Sequence, residues 1–174
     1  MQILFETPRL LLRPFHAMDA EGFYRMNNDP AVLRYTGDQA FASLVAAEQF
    51  ITQYNHYEQY GFGRWKKKKK TDQAYLGFCG LKYTRTAQEV DLGYRLLRAY
   101  WGKAYATEAA KACLAYGFDQ LLLPKIVGRA QQANPASYRV LEKIGMQFEK
   151  SFLADKQLWL QYSINNPNPI PKTS

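Results

Sequence analysis

Leu97-Arg98-Ala99-Tyr100-Trp101-Gly102-Lys103-Ala104-Tyr105-Ala106-Thr107-Glu108-Ala109-Ala110 is the stretch on which the fold turns. An alternating segment ends at Leu97, small residues follow, and a helical pattern begins near Ala104. Unpaired N–H groups and the positive end of a helix dipole make such a junction an anion site. Gly102, Ala104 and Ala106 leave room for a phosphate to approach the backbone; small residues at a helix start also serve packing alone. The stretch has neither the Gly-Lys-Ser/Thr of a Walker loop nor a GxGxxG fingerprint.

Upstream, Glu89–Leu97 alternates, with Val90, Leu92, Tyr94 and Leu96 on one side and Glu89, Asp91, Gly93 and Arg95 on the other. Phe62–Lys69 and Ala74–Tyr83 read as strands around a Lys70-Thr71-Asp72-Gln73 turn. Ser43 caps a helix predicted to run to Tyr60, Asp29-Pro30 starts a short turn, and Asp19 caps a helix to Asn28. Arg9–Phe15 is the first predicted strand. Downstream, the helix from Ala104 to Gln120 leads to a strand at Lys125–Gln131. Asn134-Pro135 caps a helix over Ala136–Ile144, and strands follow at Met146–Phe152 and Gln157–Ser163. This order implies α/β (α+β) architecture: a mixed, mostly antiparallel central sheet with helices on both faces. Residues 1–164 are expected to form a single domain and 165–174 a flexible tail.

The chain has 174 residues, 47% hydrophobic and 22% charged, which excludes wholesale disorder. It has no apolar run of membrane-spanning length. The start lacks a basic segment and reaches Glu6 early, which does not read as a signal peptide. The net charge of +8 is concentrated in two places. Lys66–Lys70 is one; the other is Arg98–Lys143, which suits a polyanionic ligand. The lysine run reads as protection of an edge strand or, alternatively, as a nucleic-acid or ribosome contact. Cys79 and Cys113 lie in apolar patterns and are expected to be structural thiols in a reducing cytoplasm. His16 and His56 have no metal-ligand spacing, so no metal site is expected.

Tyr100–Ala109 resembles the acetyl-CoA pyrophosphate loop of the GNAT superfamily of N-acetyltransferases, most of all the branch of the ribosomal-protein-alanine acetyltransferases. Three further segments carry the resemblance: Glu6-Thr7-Pro8-Arg9-Leu10-Leu11-Leu12-Arg13, Gly77-Phe78-Cys79-Gly80-Leu81, and Asn134-Pro135-Ala136-Ser137-Tyr138-Arg139-Val140-Leu141-Glu142-Lys143-Ile144-Gly145-Met146. Together they cover about residues 5–163. Two positions depart from the pattern. Ala99 stands where the family has Gln or Arg, and Ala104 stands where this branch usually has Gly, which narrows the room for a phosphate.

The resemblance implies the GNAT fold and an acetyl-CoA-dependent N-acetyltransferase. It would move an acetyl group to a primary amine, a protein N-terminus or a small molecule, by direct transfer in a ternary complex. The implied cofactor residues are Leu96, Leu97, Arg98, Gly102, Lys103, Ala104, Tyr105, Ala106, Thr107, Asn134, Ser137 and Lys143. Of these, Leu96 and Leu97 would pair with the pantetheine arm, and Asn134 would contact it while also capping its helix. Ser137 is the implied general acid, with Tyr138 as the alternative donor. Asp91 and Glu89 are the candidate bases on the strand before the loop, and Asp155 is a third. Tyr35, Phe41 and Tyr94 are candidate pocket walls. The alternative function is a GNAT-fold ligand-binding or RNA- or ribosome-associated module without catalysis. Nucleic acid is not the expected partner, no membrane partner is expected, and the oligomeric state is open.

Overall fold

The computed structural model describes residues 4–168. Eight strands form one sheet: β1 (Phe5–Glu6), β2 (Leu10–Arg13), β3 (Arg64–Lys69), β4 (Tyr75–Thr84), β5 (Glu89–Leu96), β6 (Lys125–Gln131), β7 (Gln147–Ala154) and β8 (Gln157–Asn165). Their spatial order is β1-β2-β3-β4-β5-β6-β8-β7. Every neighbouring pair is antiparallel except β5 and β6. The expected mixed, mostly antiparallel sheet is therefore the one that forms, with the two-residue strand β1 as an unforeseen addition.

Six helices cover it: α1 (Ala20–Asn27), α2 (Pro30–Leu33), α3 (Leu44–Thr52), α4 (His56–Tyr60), α5 (Tyr105–Asp119) and α6 (Pro135–Lys143). Strand alternation sends Cys79 and Leu81 of β4 into a core with Ala109, Ala110, Cys113 and Phe118 of α5 and Leu141 of α6. Phe78, the residue before Cys79, faces the other way and packs against the cluster of Ala20, Phe23, Met26 and Ala47 of α1 and α3. Helices thus lie on both faces.

Three local expectations change. The helix predicted from Ser43 to Tyr60 is two helices. Ser43 caps α3, its Oγ accepting from the Ala46 N–H at 3.1 Å, but the helix stops at Thr52. Tyr54 and Tyr57 then turn to the start of β3, where the Tyr54 hydroxyl accepts from the Arg64 N–H at 2.9 Å and the Tyr57 hydroxyl donates to the Arg64 carbonyl. Periodicity continues across the break because both aromatic residues still face inward.

Asp19 precedes α1 without capping it by its side chain. Its carboxylate accepts from Arg13 at 2.7 and 2.8 Å, from Lys66 at 2.6 Å and from the His16 N–H at 2.8 Å. Burial works to raise its pKa, but these donors outweigh it and hold the carboxyl below its ordinary range.

The lysine run is not at an edge. Strand β3 lies third in the sheet, paired with both β2 and β4. Lys66 is held by Asp19, Lys68 by the Gln73 amide, Lys69 by Asp72 at 3.1 Å and Lys70 by Glu6 at 3.0 Å. Lys67 points into the core and is fully buried, as expected of an inward position filled by a lysine stem. Its Nζ has no hydrogen-bond partner. Burial pushes that ammonium down to about 8, against the partial compensation of Cys79 and Cys113. The two cysteines are free, and the Cys113 thiol donates to the Cys79 sulfur at 3.5 Å.

At the end of the chain, Asn165 closes β8 and Asn166 is buried, its amide donating to the Leu123 carbonyl at 3.0 Å. The expected tail is therefore still held at its first residues; 169–174 lie outside the described residues. No helix among the described residues is long and apolar enough to cross a membrane.

Candidate active site

The one parallel pair in the sheet opens the site. Strands β5 and β6 are in register only at Asp91–Val127 and Leu92–Gly128, while β5 runs on to Leu96 and β6 to Gln131. Beyond that point they part. Leu97 gives its N–H to the Leu76 carbonyl at 2.9 Å. Antiparallel alternation then turns the main-chain groups of Tyr94 and Leu96 to the other side, into the gap. The Leu96 carbonyl accepts the Trp101 indole N–H at 3.0 Å. Leu97, expected to pair with an extended ligand, is therefore engaged by β4, and Leu96 and Tyr94 are the residues that present to the opening.

A cleft of about 650 Å³ occupies this gap, bounded by the 102–107 turn, by α6 and by α2 with Tyr35. The turn has an uncommon backbone. Gly102 and Ala104 both adopt left-handed conformations, at φ 71° and 61°. Glycine does so freely; for alanine the cost is about 1–2 kcal/mol. Ala104 is the N-cap of α5 and has no side-chain acceptor to offer. The Glu108 N–H bonds back to the Ala104 carbonyl at 3.0 Å, so the N–H groups of Tyr105, Ala106 and Thr107 stand ahead of that bond at an uncapped, electropositive helix start.

What holds this turn in shape was not foreseen. Glu108 accepts from the Thr7 hydroxyl, from the Arg9 N–H at 2.9 Å and from Arg9 Nε at 2.6 Å. Arg9 also donates to the Lys103 carbonyl at 3.1 Å and lies 4.3 Å over the Tyr105 ring. Burial acts to raise the Glu108 pKa, but the Thr7 and Arg9 donors hold it below its usual value. The signal was present in the sequence: Thr7-Pro8-Arg9 and Thr107-Glu108-Ala109 are two of the matched segments, and the structure joins them.

Most of the expected ligand residues line the cleft: Leu96, Gly102, Ala104, Tyr105, Ala106, Thr107, Asn134, Ser137 and Lys143, with Tyr35 and Tyr94. Asn134 begins α6, yet its side chain makes no capping bond. Asn134 is therefore the expected N-cap by position, its carbonyl accepting from the Ser137 N–H at 3.1 Å, but not by its side chain, whose amide is left for the cleft. Ser137 sits beside Tyr94: the Tyr94 hydroxyl donates to the Ser137 carbonyl at 2.6 Å, and Ser137 Oγ lies 3.4 Å from the Tyr94 oxygen. Burial raises the Tyr94 phenol well above its ordinary range, so it remains a proton donor at neutral pH. Arg139, four residues before Lys143 on α6, also lines the cleft and was missed, although that spacing puts both on one helix face.

Several expectations fail. Arg98 is exposed and pairs with Asp29 at 3.2 Å. The Lys103 ammonium donates to the Ala99 carbonyl at 3.1 Å. Neither lines the cleft. Phe41 packs between Phe23 and Phe50, at ring distances of 5.5 and 5.7 Å, as part of the α1–α3 core. Asp91 and Glu89 do not reach the cleft either. Asp91 is paired with Arg64 and with Arg129 at 3.3 Å, and Glu89 is paired with the same Arg129. Their strand positions point to the sheet face opposite α5, where guanidinium groups engage both carboxylates. Asp155 is exposed at the β7–β8 turn. Tyr138 stacks on Tyr162 at 6.4 Å.

A parallel pair that parts beside a cleft and a left-handed entry to an uncapped helix characterise this mixed sheet, and the comparisons place its family. Residues 9–147 match the acetyltransferase (GNAT) domain, and the chain belongs to this family of N-acetyltransferases. The Bacillus subtilis protein YkkB is 34% identical over 152 residues, covering 83% of this chain and 86% of that one. The acetyltransferase (GNAT family) from Bacillus anthracis superimposes with a TM-score of 0.83 at 26% identity, over 97% of this chain and all of that one. At 18% identity, two further structures share the fold. They are the ribosomal-protein-S5-alanine acetyltransferase from Vibrio fischeri (TM-score 0.81, 96% and 98% covered) and the Vibrio cholerae spermidine N-acetyltransferase in complex with CoA and spermine (TM-score 0.78, 92% and 97% covered).

Proposed function

We propose that this protein transfers the acetyl group of acetyl-CoA to a primary amine, directly and within a ternary complex. The observation that carries this is the uncapped left-handed entry to α5, opening onto a gap bordered by the unpaired edge of β5. A pyrophosphate fits the N–H groups of residues 102–107, and Arg139 and Lys143 supply positive charge nearby. The pantetheine amides match the main-chain groups of Tyr94 and Leu96 and the free amide of Asn134. Acetyl-CoA supplies an activated acyl group with a thiolate leaving group. The fold family and the spermidine acetyltransferase bound to CoA support this choice of donor.

The chain's own part is modest and concentrated at Ser137. Its hydroxyl lies at the cleft wall and is oriented by Tyr94, whose own proton is committed to the Ser137 carbonyl. Ser137 Oγ donates to the Tyr94 oxygen over a long 3.4 Å and can turn that proton to the departing sulfur. No carboxylate of the described residues lines the cleft, and the acceptor amine loses its proton to water. Cys79 and Cys113 are structural: both are buried, away from the cleft, which suits a reducing cytoplasm. Residues 1–164 act as one catalytic domain. A non-catalytic RNA-binding role draws no support from the lysine run, since four of its five side chains are occupied and the fifth is in the core.

Thiol release from acetyl-CoA across a panel of primary amines tests the function. Turnover that falls at least tenfold in Ser137→Ala, with acetyl-CoA affinity unchanged, is the expected result. Equal turnover in the variant rejects the role of Ser137.

A further inference from the structure

The amine side of the cleft has a charge pattern of its own. The charged lining of the whole cleft comprises Arg95, Arg139 and Lys143 and, among the described residues, includes no Asp or Glu. Arg139 and Lys143 lie on α6 beside the 102–107 turn. Arg95 is at the other end, near Ala31, Val32 and Tyr35.

Arg95 is held in place from three directions. The Asn27 side-chain Oδ1 accepts from its Nη1, and Asn27 is itself fixed, its Nδ2 donating to the Phe23 carbonyl at 2.8 Å. The guanidinium carbon lies 5.4 Å from the Phe78 ring centroid. Its charge is met by Asp38 at 2.7 Å, and the Asp38 side chain is 60% exposed while that of Arg95 is 15% exposed. A half-buried, pre-oriented guanidinium thus lines the cleft with an exposed surface carboxylate as its counter-ion. Guanidinium forks recognise carboxylates in this way.

We infer that the acceptor is an amine bearing a carboxylate, an amino acid or short peptide, with Arg95 as the specificity-determining residue. Its carboxylate takes the place of Asp38. With Arg139 and Lys143 beside the pyrophosphate turn, a polyamine at the other end of the cleft meets the Arg95 guanidinium and no Asp or Glu of the described lining. This inference rests on the acetyltransferase function proposed above.

The test uses the full chain and compares amino acids and glycylglycine with their C-terminal amides, together with spermidine. A carboxylate makes the neighbouring amine more basic, so intrinsic reactivity favours the amides. A preference for the acids therefore reports recognition. Expected are a kcat/KM at least tenfold higher for the acids, a ratio near one in Arg95→Gln, and partial recovery in Arg95→Lys. Asp38→Asn removes the internal competitor and lowers KM for the acids several-fold. Calorimetry on the chain without acetyl-CoA gives the same ordering of affinities.

Amides or spermidine used as well as the acids overturn the inference, as does an acid preference that survives Arg95→Gln. Loss of preference accompanied by a lower melting temperature in both Arg95 variants also overturns it, assigning Arg95 a structural role. An acetyl-CoA titration run alongside separates the two levels. Binding without acid preference defeats the substrate class alone, whereas absence of binding defeats the acetyltransferase function as well.

Discussion

Replacing Lys67 with methionine should stabilise this protein, because the native residue places an ammonium in the core with nothing to accept its protons. The unfolded chain holds that proton up to about pH 10.5, whereas burial lowers the folded value to about 8. At about 1.36 kcal/mol for each pH unit between those values, the folded state is penalised by about 3 kcal/mol below pH 8. Between pH 8 and 10.5 the unfolded state binds more protons than the folded one, so stability rises with pH and the penalty disappears. Methionine has a similar length and no charge, and it fits irregular apolar space. Urea unfolding of both proteins from pH 6.5 to 10.5 is the assay. Lys67→Met is expected to gain about 2–3 kcal/mol at pH 7, with the advantage shrinking to the small packing difference by pH 10.5. A variant no more stable at pH 7, or one whose gain is the same at every pH, refutes the claim that an uncompensated buried charge is the cause.

Other outcomes concern the cleft. Arg9→Gln frees Glu108 and the Lys103 carbonyl and should weaken acetyl-CoA about fivefold in calorimetry; the effect is limited to about 1 kcal/mol because the Arg9 side chain is 44% exposed. Ala104→Gly relieves the left-handed strain and widens the approach to the turn. Acetyl-CoA should bind several-fold tighter, with a melting temperature changed little, since glycine also gains entropy in the unfolded chain; unchanged affinity would mean that the alanine costs the ligand nothing. Tyr94→Phe loses the donor to the Ser137 carbonyl and the oxygen beside Ser137 Oγ, so kcat should fall with acetyl-CoA affinity held within about twofold.

Much of the architecture was legible because the local patterns agreed with the global fold. The alternation of Glu89–Leu96, the small-residue inner stripe of α5 and the Pro-marked start of α6 each had one sensible reading. The junction at Gly102–Thr107 was legible as a candidate anion site from its small residues and uncapped start, and the four concordant segments of the family resemblance decided it over plain packing. The failures were tertiary. Nothing in the order Trp65-Lys66-Lys67-Lys68-Lys69-Lys70 reveals that β2 will cover this strand from the N-terminal side, and an interior position turns the lysines from edge guards into partners of Asp19, Asp72 and Glu6. Asp91 and Glu89 were placed on the right strand face. Their partners, Arg64 and Arg129, come from strands distant in sequence, so the pairing that removes them from the site was invisible. Asn134 looked like a side-chain cap because most Asn-Pro pairs at helix starts are caps.

The central claim is that the parting of β5 and β6, with the left-handed turn at Gly102 and Ala104, receives acetyl-CoA. Calorimetric titration of the purified chain with acetyl-CoA tests it most directly. One site per chain, with a dissociation constant in the micromolar range and loss of affinity in Gly102→Val, where the β-branched side chain opposes φ 71°, is the predicted result. No heat at high micromolar ligand, or binding undiminished by Gly102→Val, would contradict it.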